Sequence, residues 1–378
     1  MIAVIADDLT GAVEIAGIGL RYGLTVEVVT TVGQNTNVDL LVVATDTRSM
    51  PEQEAVATMT EITARLKALN PELLFKKTDS VLRGHVLAEL NAHADVMRFK
   101  KTLLVPANPA LKRTITDGQY FIKGLPIHLS NFAHDPDFPV SQSEIHSLLR
   151  CDKGEIAINT TDDNLPATGI IVGECAEASD LKKWAQKADR QTLLAGGSGF
   201  FAALLEAAGF LSKVNGTFAI LEEPTLLVSG TTFEESREFI RNIKNSGTRV
   251  SYMPLHIVDL ENPGENLLDN WADEIAALLT TQKKAVIAIA GIATAATNLR
   301  EKTAAVVEKV FEKTSVKELL IEGGATASAI IKQLNLTRFT PVDELSTGVV
   351  RMKATAQEDL FLTLKPGSYN WPVMVWDK

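Results

Sequence analysis

A polar stretch between a strand pattern and a helical pattern holds the densest group of reactive side chains. The run Leu73–Phe75 is apolar, and a helical pattern begins at Val86. Between them lie Lys76, Lys77, Thr78, Asp79, Ser80, Arg83 and His85. Strand ends that lead into helix N-termini bind ligands in open α/β sheets, and free N–H groups there favour anions. The stretch predicts a carboxylate or phosphate site, with a polar turn capped by Asp79 or Ser80 as the alternative.

Two adjacent carboxylates follow the first predicted strand. Ile2–Ala6 is apolar, and Asp7 and Asp8 come directly before a helical pattern. One of them could cap the helix, since a capping Asp stabilises a helix N-terminus by about 0.5–2 kcal/mol. Two acids exceed what capping requires. The pair therefore favours a general base for a substrate hydroxyl, or a hydrogen-bond partner for a polyol.

Three turns with glycine or hydroxyl side chains end predicted strands in the second half of the chain. They are Ser229–Thr231, Gly323–Thr326 and Lys365–Ser368. Glycine lets a ligand approach the backbone closely, and a helix N-terminus presents unpaired N–H groups to phosphate. Together the turns predict a nucleotide-phosphate cradle, although the sequence has no Walker A motif and tight packing is the alternative.

Apolar runs and helical patterns alternate along the chain, as in a parallel sheet covered by helices. The first half includes strand patterns at Val26–Val29 and Leu40–Ala44, and a helical pattern at Glu52–Ala68. A strand pattern restarts at Thr225–Val228 after the connector Leu211–Pro224. The predicted fold class is α/β with two domains, each a mainly parallel sheet flanked by helices, and an active-site cleft between them.

The length of 378 residues also favours two domains. We place them at residues 1–212, which contain the acidic and basic groups, and 213–378, which contain the glycine turns. An anionic hydroxy acid would bind in the first domain and a nucleotide in the second. A cleft between them would supply the positioning and water exclusion that phosphoryl transfer needs.

Two further segments limit the alternatives. Gly17, Gly19 and Gly23 resemble a dinucleotide-binding fingerprint, but they lie within or at the end of the first helical pattern instead of the preceding turn. An NAD-dependent dehydrogenase is therefore disfavoured. The segment Ala107–Pro139 has no regular pattern, and we expect an irregular, lid-like loop of mostly solvated residues.

Composition excludes several classes of protein. A hydrophobic content of 46% indicates a globular chain, and a net charge of −10 argues against a general nucleic-acid binder. No apolar run approaches the length of about 18 residues that a membrane span requires. The N-terminal residues lack the features of a signal peptide. Cys151 and Cys175 match no metal or redox spacing, and a cytoplasmic protein is predicted.

Five motifs, in the same order over nearly the whole chain, resemble those of the four-carbon acid sugar kinases. That family includes threonate, erythronate and 3-oxo-tetronate kinases. The motifs are Ala6–Ala12, Asp46–Arg48, Lys77–Gly84, Gly323–Ala327 and Lys365–Tyr369. The first and third are the most specific in combination. The chain departs from the family pattern at Lys112, where a glycine is common, and after Gly367, where a second glycine is usual.

The resemblance implies a sugar-acid-binding domain followed by a nucleotide-binding domain, with ATP as the phosphoryl donor. We therefore predict an ATP-dependent kinase that phosphorylates a hydroxyl of a small, four-carbon sugar acid. Asp8 would orient or deprotonate the hydroxyl, and Asp79 is the competing base. Predicted substrate contacts are Asp7, Arg48, Lys77, Thr78, Ser80 and Arg83, and predicted ATP contacts are Ser229, Gly323, Gly324, Ala325, Thr326 and Gly367.

Several points stay open. Mg²⁺ is expected from the chemistry, without assigned protein ligands. A non-catalytic sugar-acid-binding or regulatory protein is the alternative, and ATP binding would separate it from a kinase. The sequence does not identify the acid or the oligomeric state, although a homodimer is compatible with it. No nucleic-acid or membrane partner is predicted.

Overall fold

The chain forms two compact units, Met1–Val214 and Asn215–Lys378. The computed structural model describes residues 1–34, 36–135, 138–213, 220–231, 233–252, 265–289, 296–357, 359–367, 369–372 and 375–376. The predicted boundary after residue 212 lies two residues before this division. Much of the predicted connector Leu211–Pro224 lies outside the described residues.

Strands and helices alternate in the first unit. The first part contains β1 (Ile2–Ala6), α1 (Leu9–Arg21), β2 (Val26–Val29), β3 (Leu40–Ala44), α2 (Glu52–Ala68), β4 (Leu73–Lys77), α3 (Val86–Met97) and β5 (Lys101–Val105). Then follow β6 (Arg113–Thr116), β7 (Gln119–Ile122), β8 (Leu125–Pro126), α4 (Ile145–Leu149), β9 (Ile156–Asn159), β10 (Gly169–Gly173), α5 (Ala178–Gln186), β11 (Thr192–Gly196) and α6 (Ser198–Ala207).

Eight of these strands form a parallel sheet in the order β2-β3-β1-β4-β11-β5-β10-β9. Strands β1 and β3 are apolar throughout, as expected where helices cover both faces of a sheet. One face packs Ile5 and Val43 against Met59 and Leu66 of α2. Helix α1 approaches the sheet closely at Gly19, where an added Cβ would lie 2.6 Å from a methyl carbon of Leu40.

The segment Ala107–Pro139 is more regular than predicted. Strands β6, β7 and β8 form a separate antiparallel sheet, so the expectation of an irregular loop is wrong for this part of the segment. Strands this short have weak periodicity, which hides them from pattern analysis. Lys112, which stands where a glycine is common, adopts a left-handed φ of 54° immediately before β6. Glycine adopts that conformation without the steric cost of a side chain.

The second unit also alternates strands and helices. It contains β12 (Thr225–Ser229), α7 (Glu234–Asn245), β13 (Val250–Tyr252), α8 (Glu265–Gln282), β14 (Lys284–Ala288), α9 (Ala296–Lys313), β15 (Glu318–Glu322), α10 (Gly324–Gln333), β16 (Arg338–Ser346), β17 (Val349–Ala354) and β18 (Phe361–Lys365). The sheet order is β13-β14-β12-β15-β18-β17-β16. The first five strands in this order, β13, β14, β12, β15 and β18, run parallel to one another. Strand β17 runs antiparallel to both β18 and β16.

The predicted fold class, two α/β domains with mainly parallel sheets flanked by helices, is confirmed. The antiparallel hairpin of β16 and β17 was not predicted. Its charged positions, such as Asp343 and Arg351, interrupt the apolar pattern expected of a buried strand. Within the described part of the chain, no helix combines the length and apolar character needed to cross a membrane.

A substitution at Phe75 of β4 tests the core packing that stabilises the first unit. It is fully buried, and its ring lies 6.1 Å from that of Phe200 and 5.2 Å from that of Phe201. We expect Phe75→Ala to lower the free energy of unfolding by about 3–5 kcal/mol, because it leaves a cavity under β4. Urea denaturation followed by circular dichroism measures this loss. Leu125→Ala, at a site that is 55% exposed, should change stability by less than about 0.5 kcal/mol. Equal effects would contradict the packing described.

Candidate active site

The predicted acidic and basic residues meet at the carboxyl edge of the first sheet. The strand register places Ala6 beside Ala44 and Lys77, at the ends of β1, β3 and β4. The chain passes from β1 to β2 and β3 on one side, and then crosses to β4 on the other. Ligands of open α/β sheets bind in the crevice outside the strand ends at such a reversal.

The Arg48 guanidinium joins three carboxylates at this edge. Its Nε donates to Asp7 Oδ2 at 2.8 Å, and one terminal nitrogen donates to Asp8 Oδ2 at 3.0 Å. The other terminal nitrogen lies 3.6 Å from Asp79 Oδ1. We call Asp7, Asp8, Arg48, Asp79 and Arg83 the acid–arginine cluster. Its charges are largely shielded from water, and so interact more strongly than surface charges.

The two adjacent carboxylates of the cluster differ in acidity. Burial raises the pKa of Asp7 above its ordinary value, and Arg48 only partly opposes this effect. Burial acts in the same direction on Asp8, but Arg48, Lys77 and a hydrogen bond from Thr10 outweigh it, so the pKa of Asp8 is lowered. Asp7 also has one carboxylate oxygen, Oδ1, that is buried and accepts no hydrogen bond from the described residues.

Asp8 has a structural contact as well as its place in the cluster. Its Oδ1 accepts the backbone N–H of Gly11 at 2.8 Å, which makes it the N-cap of α1. Its Oδ2 accepts the Thr10 hydroxyl at 2.6 Å. The capping and functional interpretations therefore apply to the same residue, while Asp7 is the second acid that capping does not require.

Asp79 organises the turn after β4. Its carboxylate accepts Arg83 Nε and a terminal Arg83 nitrogen, each at 2.9 Å, and also the backbone N–H groups of Val81 and Arg83 at 3.2 and 3.1 Å. Burial raises the pKa of Asp79, but Arg83 and Arg48 together hold it well below its ordinary value. Asp79 therefore caps its own turn, as the alternative interpretation predicted, but it is not the N-cap of α3, which begins at Val86.

Side chains from the segment after β5 pack on this turn. Arg83 donates to Asp135 Oδ2 at 2.7 Å, and Arg113 donates to the Ser80 hydroxyl. Both guanidinium groups lie within 6 Å of the Phe132 ring centre, at 5.3 and 5.7 Å, which is cation–π range. Sequence reasoning treated this segment as mostly solvated. The sequence shows the two cationic residues, Arg83 and Arg113, and the aromatic residue Phe132, but it does not indicate that they contact one another.

The two lysines of β4 face opposite sides of the sheet, as alternate strand residues do. Lys77 Nζ lies 3.5 Å from Glu14 Oε2 of α1, on the side of Asp8. Lys76 Nζ pairs with Glu89 of α3 at 2.6 Å, and both side chains are buried. Each lysine therefore acts on one carboxylate of the acid–arginine cluster, Lys77 on Asp8 and Lys76 on Asp7.

Glu14 was missed by sequence reasoning and extends this polar network. Its Oε1 accepts the Ser198 hydroxyl at 2.8 Å, and Ser198 accepts Asn108 Nδ2 at 3.1 Å. The sequence signal for Glu14 was a single acidic residue within the mostly apolar first half of α1. Thr78, a predicted substrate contact, is buried, and its backbone N–H donates to Gly196 O at 3.0 Å.

The three predicted glycine turns of the second unit follow β12, β15 and β18. The register pairs Ser229 with Glu322 and Glu322 with Lys365, so the turns begin side by side. The chain builds β13 and β14 on one side of β12 and then crosses to β15 on the other. The turns after β12 and β15 therefore flank a strand-order reversal of the same kind as in the first unit.

These turns approach one another at their glycines. A Cβ on Gly230 would lie 2.6 Å from Thr326 Cβ, and a Cβ on Gly367 would lie 2.9 Å from the Thr231 hydroxyl. Gly323 has a φ of 99°, which favours glycine, and precedes α10 without a side-chain cap among the described residues. The N–H groups at the start of α10, from Gly324, Ala325 and Thr326, can therefore receive an anion.

A metal site is not defined by the side chains alone. Among the residues that the structure describes, no group of three or more His, Cys, Asp or Glu is arranged to hold a metal ion. The carboxylates of the acid–arginine cluster contact guanidinium groups instead.

Comparison with known proteins identifies the family. A model described as a sugar-binding N-terminal domain matches residues 2–204, and one described as a nucleotide-binding C-terminal domain matches residues 226–369. A 3-oxo-tetronate kinase of Haemophilus influenzae is 26% identical, over 98% of this chain and 97% of its own. A D-threonate kinase of Salmonella typhimurium is 28% identical, over 63% of this chain and 60% of its own. The chain belongs to the four-carbon acid sugar kinase family.

Membership of this family confirms the predicted resemblance and the class of enzyme, a sugar-acid kinase. A solved structure from Salmonella typhimurium LT2 has the same fold, with a TM-score of 0.78 at 19% identity over 98% of this chain and 96% of that one. The roles of individual residues in this family member stay predictions.

The pKa of Asp79 predicts how stability depends on pH. Because its folded-state pKa lies below the unfolded value, its ion pairs stabilise the fold above about pH 4, and this stabilisation is lost as the pH falls further. We expect Asp79→Asn to cost about 3 kcal/mol or less at pH 7, since Arg83 is partly exposed. The deficit should shrink toward pH 3. Urea midpoints measured from pH 7 to pH 3 check this, and a constant deficit would contradict the assigned ionisation.

The contact between Gly230 and Thr326 gives a second prediction. Gly230→Ala must push the turns after β12 and β15 apart, because the added Cβ overlaps the Thr326 side chain. We expect ATP affinity to fall about tenfold or more, which corresponds to about 1.4 kcal/mol. Isothermal titration calorimetry measures the affinity. Gly247→Ala is the control for backbone strain away from these turns, because its added Cβ meets nothing within 4 Å although its φ of 96° disfavours alanine. Equal ATP affinities in both variants would exclude a nucleotide site at these turns.

Proposed function

We propose that this kinase transfers a phosphoryl group from ATP to a hydroxyl of a four-carbon sugar acid held at the acid–arginine cluster. The observation behind this proposal is the cluster itself. Three carboxylates and two guanidinium groups meet at a strand-order reversal, in the part of the chain that matches a sugar-binding domain. Carboxylates can bind hydroxyl groups, and guanidinium groups can bind the acid.

Asp8 is the best candidate to orient the attacking hydroxyl. Its side chain is 13% exposed, compared with 5% for Asp7 and 8% for Asp79, so it is the most accessible carboxylate of the cluster. Its lowered pKa makes it a weak base, but phosphoryl transfer depends more on positioning than on proton removal. Asp79 is the weaker candidate, because its oxygens already accept four hydrogen bonds.

Arg48, Arg83 and Lys77 would bind the acid and neutralise the charge that develops during transfer. Both guanidinium groups are already paired, Arg48 with Asp7 and Asp8 and Arg83 with Asp79. A substrate carboxylate would therefore exchange with one of these contacts. Thr78 and Ser80 would contribute through the backbone and the position of their turn, since Thr78 is buried and Ser80 accepts from Arg113.

The nucleotide would bind in residues 213–378, with its phosphates at the glycine turns. The start of α10 supplies N–H donors, and Gly323, Gly324, Ala325, Thr326 and Gly367 allow close approach of the backbone. The Ser229 hydroxyl donates to Glu322, which leaves its oxygen free to accept. Mg²⁺ would arrive with the ATP phosphates and reduce their charge, since Mg²⁺ often needs few protein ligands.

Phosphoryl transfer requires the acid and the ATP phosphates to meet, and the proposal assigns the acid to residues 1–212 and the nucleotide to residues 213–378. Family membership supports this division of labour, because one domain model is described as sugar-binding and the other as nucleotide-binding. A homodimer and a cytoplasmic location stay predictions.

Substitutions in the cluster test the proposed function directly. We expect Asp8→Asn to lower kcat by about 100-fold or more, as loss of a group that positions a reacting hydroxyl does. Arg83→Ala should mainly raise the KM for the acid. A coupled assay of ADP release with threonate, erythronate and 3-oxo-tetronate measures both constants.

Arg65→Ala is the control, because Arg65 is exposed on α2, where its guanidinium pairs with Glu61 and donates to Val32 O. Its kinetics should match those of the wild type. Wild-type rates in both cluster variants would exclude the assigned roles. If ATP does not bind and no acid is phosphorylated, the alternative of a non-catalytic sugar-acid-binding or regulatory protein replaces the kinase.

A further inference from the structure

A buried carboxylate lies beneath the glycine turns of the second unit. Glu322 is the last residue of β15 and is 0% exposed. Its carboxylate accepts the Ser229 hydroxyl at 2.6 Å and the Lys365 ammonium at 2.6 Å, and it also accepts the Ser236 hydroxyl. A fully buried charge with this many donors is satisfied, and so is stable in its place.

Each donor belongs to a different element of the proposed nucleotide site. Ser229 ends β12 directly before Gly230, and Lys365 ends β18 directly before the turn that contains Gly367. Ser236 lies in the first turn of α7. Glu322 itself precedes Gly323, so one carboxylate is attached to the starting points of all three glycine turns.

The Lys365 ammonium extends this connection into the third turn. Besides Glu322, it donates to Pro366 O at 3.0 Å and to Tyr369 O at 2.6 Å. Lys365 is 1% exposed, and burial lowers its pKa while Glu322 opposes the change. The ammonium therefore links the carboxylate to the two ends of the turn around Gly367.

Stability alone does not explain such a pair. Replacing a buried ion pair by apolar residues of similar volume is often neutral or stabilising, whereas removing one partner is destabilising. A hydrophobic pair could fill the same space, but it could not bind the hydroxyl groups of Ser229 and Ser236 or the carbonyl groups of the turn around Gly367. The advantage of the charged pair over a hydrophobic pair is therefore that it holds the turns in position relative to one another.

We propose that Glu322 is a positioning residue for nucleotide binding, whose carboxylate fixes the three glycine turns relative to one another through Ser229, Ser236 and Lys365. This inference rests on the proposed function, which assigns the ATP phosphates to those turns. Glu322 does not touch the nucleotide, because no part of it is exposed. Its effect is transmitted through the turns that it holds.

The same strand supplies a matched control. Glu318, at the other end of β15, is also 0% exposed and is paired with Arg351. Glu318→Gln and Glu322→Gln therefore make the same chemical change in the same strand, each next to a buried cation. Only Glu322 contacts the glycine turns.

The experiment compares steady-state kinetics and ATP calorimetry of the full-length wild type, Glu322→Gln, Lys365→Met, the double variant and Glu318→Gln. We expect Glu322→Gln to raise the KM and Kd for ATP about tenfold or more, while the KM for the sugar acid changes less than twofold. Glu318→Gln should lower thermal stability without changing either ATP constant. The double variant should regain stability relative to Glu322→Gln, since no buried cation is left unpaired, but should not regain ATP affinity.

Ser236→Ala provides a second route if Glu322→Gln fails to fold, because it removes one neutral donor from the carboxylate. It should raise the ATP Kd about twofold to fivefold. Unchanged ATP constants in every folded variant at Glu322, Lys365 and Ser236 would overturn the inference, as would equal effects of Glu318→Gln.

The test also separates this inference from the proposed function. If the wild type phosphorylates a four-carbon acid but the variants keep their ATP affinity, the positioning role is wrong and the kinase assignment stands. If the wild type binds ATP but phosphorylates none of the acids, the calorimetric comparison still decides the role of Glu322. A wild type that does not bind ATP overturns both.

Discussion

The placement of one guanidinium among three carboxylates determines the rest of the first unit's site. Asp7, Asp8 and Asp79 would repel one another strongly at such short range in a partly dry environment. Arg48 relieves this repulsion, and although burial lowers its pKa, the three acids together hold that pKa well above the ordinary value. Arg48 can reach them because it lies in a short turn after β3, entered through Asp46 at a left-handed φ of 56°. The site therefore requires the strand order β3-β1-β4.

The second unit also pairs a buried carboxylate with a cation, but the pair has a different role there. At its strand-order reversal, Glu322 and Lys365 are below the turns and neutralise each other. This leaves the backbone N–H groups at the start of α10 as the proposed anion-binding groups at the surface of the turns. In the first unit, by contrast, the charged side chains themselves form the proposed binding edge. Charged side chains suit a small acid of variable shape, whereas backbone donors suit the invariant phosphates of a nucleotide.

Local signals in the sequence predicted the parts of this arrangement that depend on neighbours in the chain. Apolar runs followed by polar residues located the ends of β1 and β3, because a buried strand must be apolar and its end need not be. The same rule ended β4 too early, since Lys76 and Lys77, predicted to lie in the turn, are its last two residues. The partners of those ends were not predictable. Glu14, Arg113 and Asp135 reach the site through tertiary contacts, and their positions in the sequence carry no periodic signal. The hairpin of β16 and β17 was hidden for a related reason, since charged residues within it pair with partners elsewhere in the sheet, as Arg351 does with Glu318.

The pairing within the acid–arginine cluster also bears on which ligands it can accept. Arg48 and Arg83 are already paired with carboxylates, so a ligand that takes one of these contacts must replace what it displaces. A sugar acid can do this, because its own carboxylate offers the same bidentate geometry and charge. A neutral polyol cannot, since it would leave an aspartate or an arginine buried without a partner, at a cost of several kcal/mol. At the proposed site, internal pairing would therefore favour acids over neutral sugars, through the penalty for an unpaired buried charge as much as through attraction.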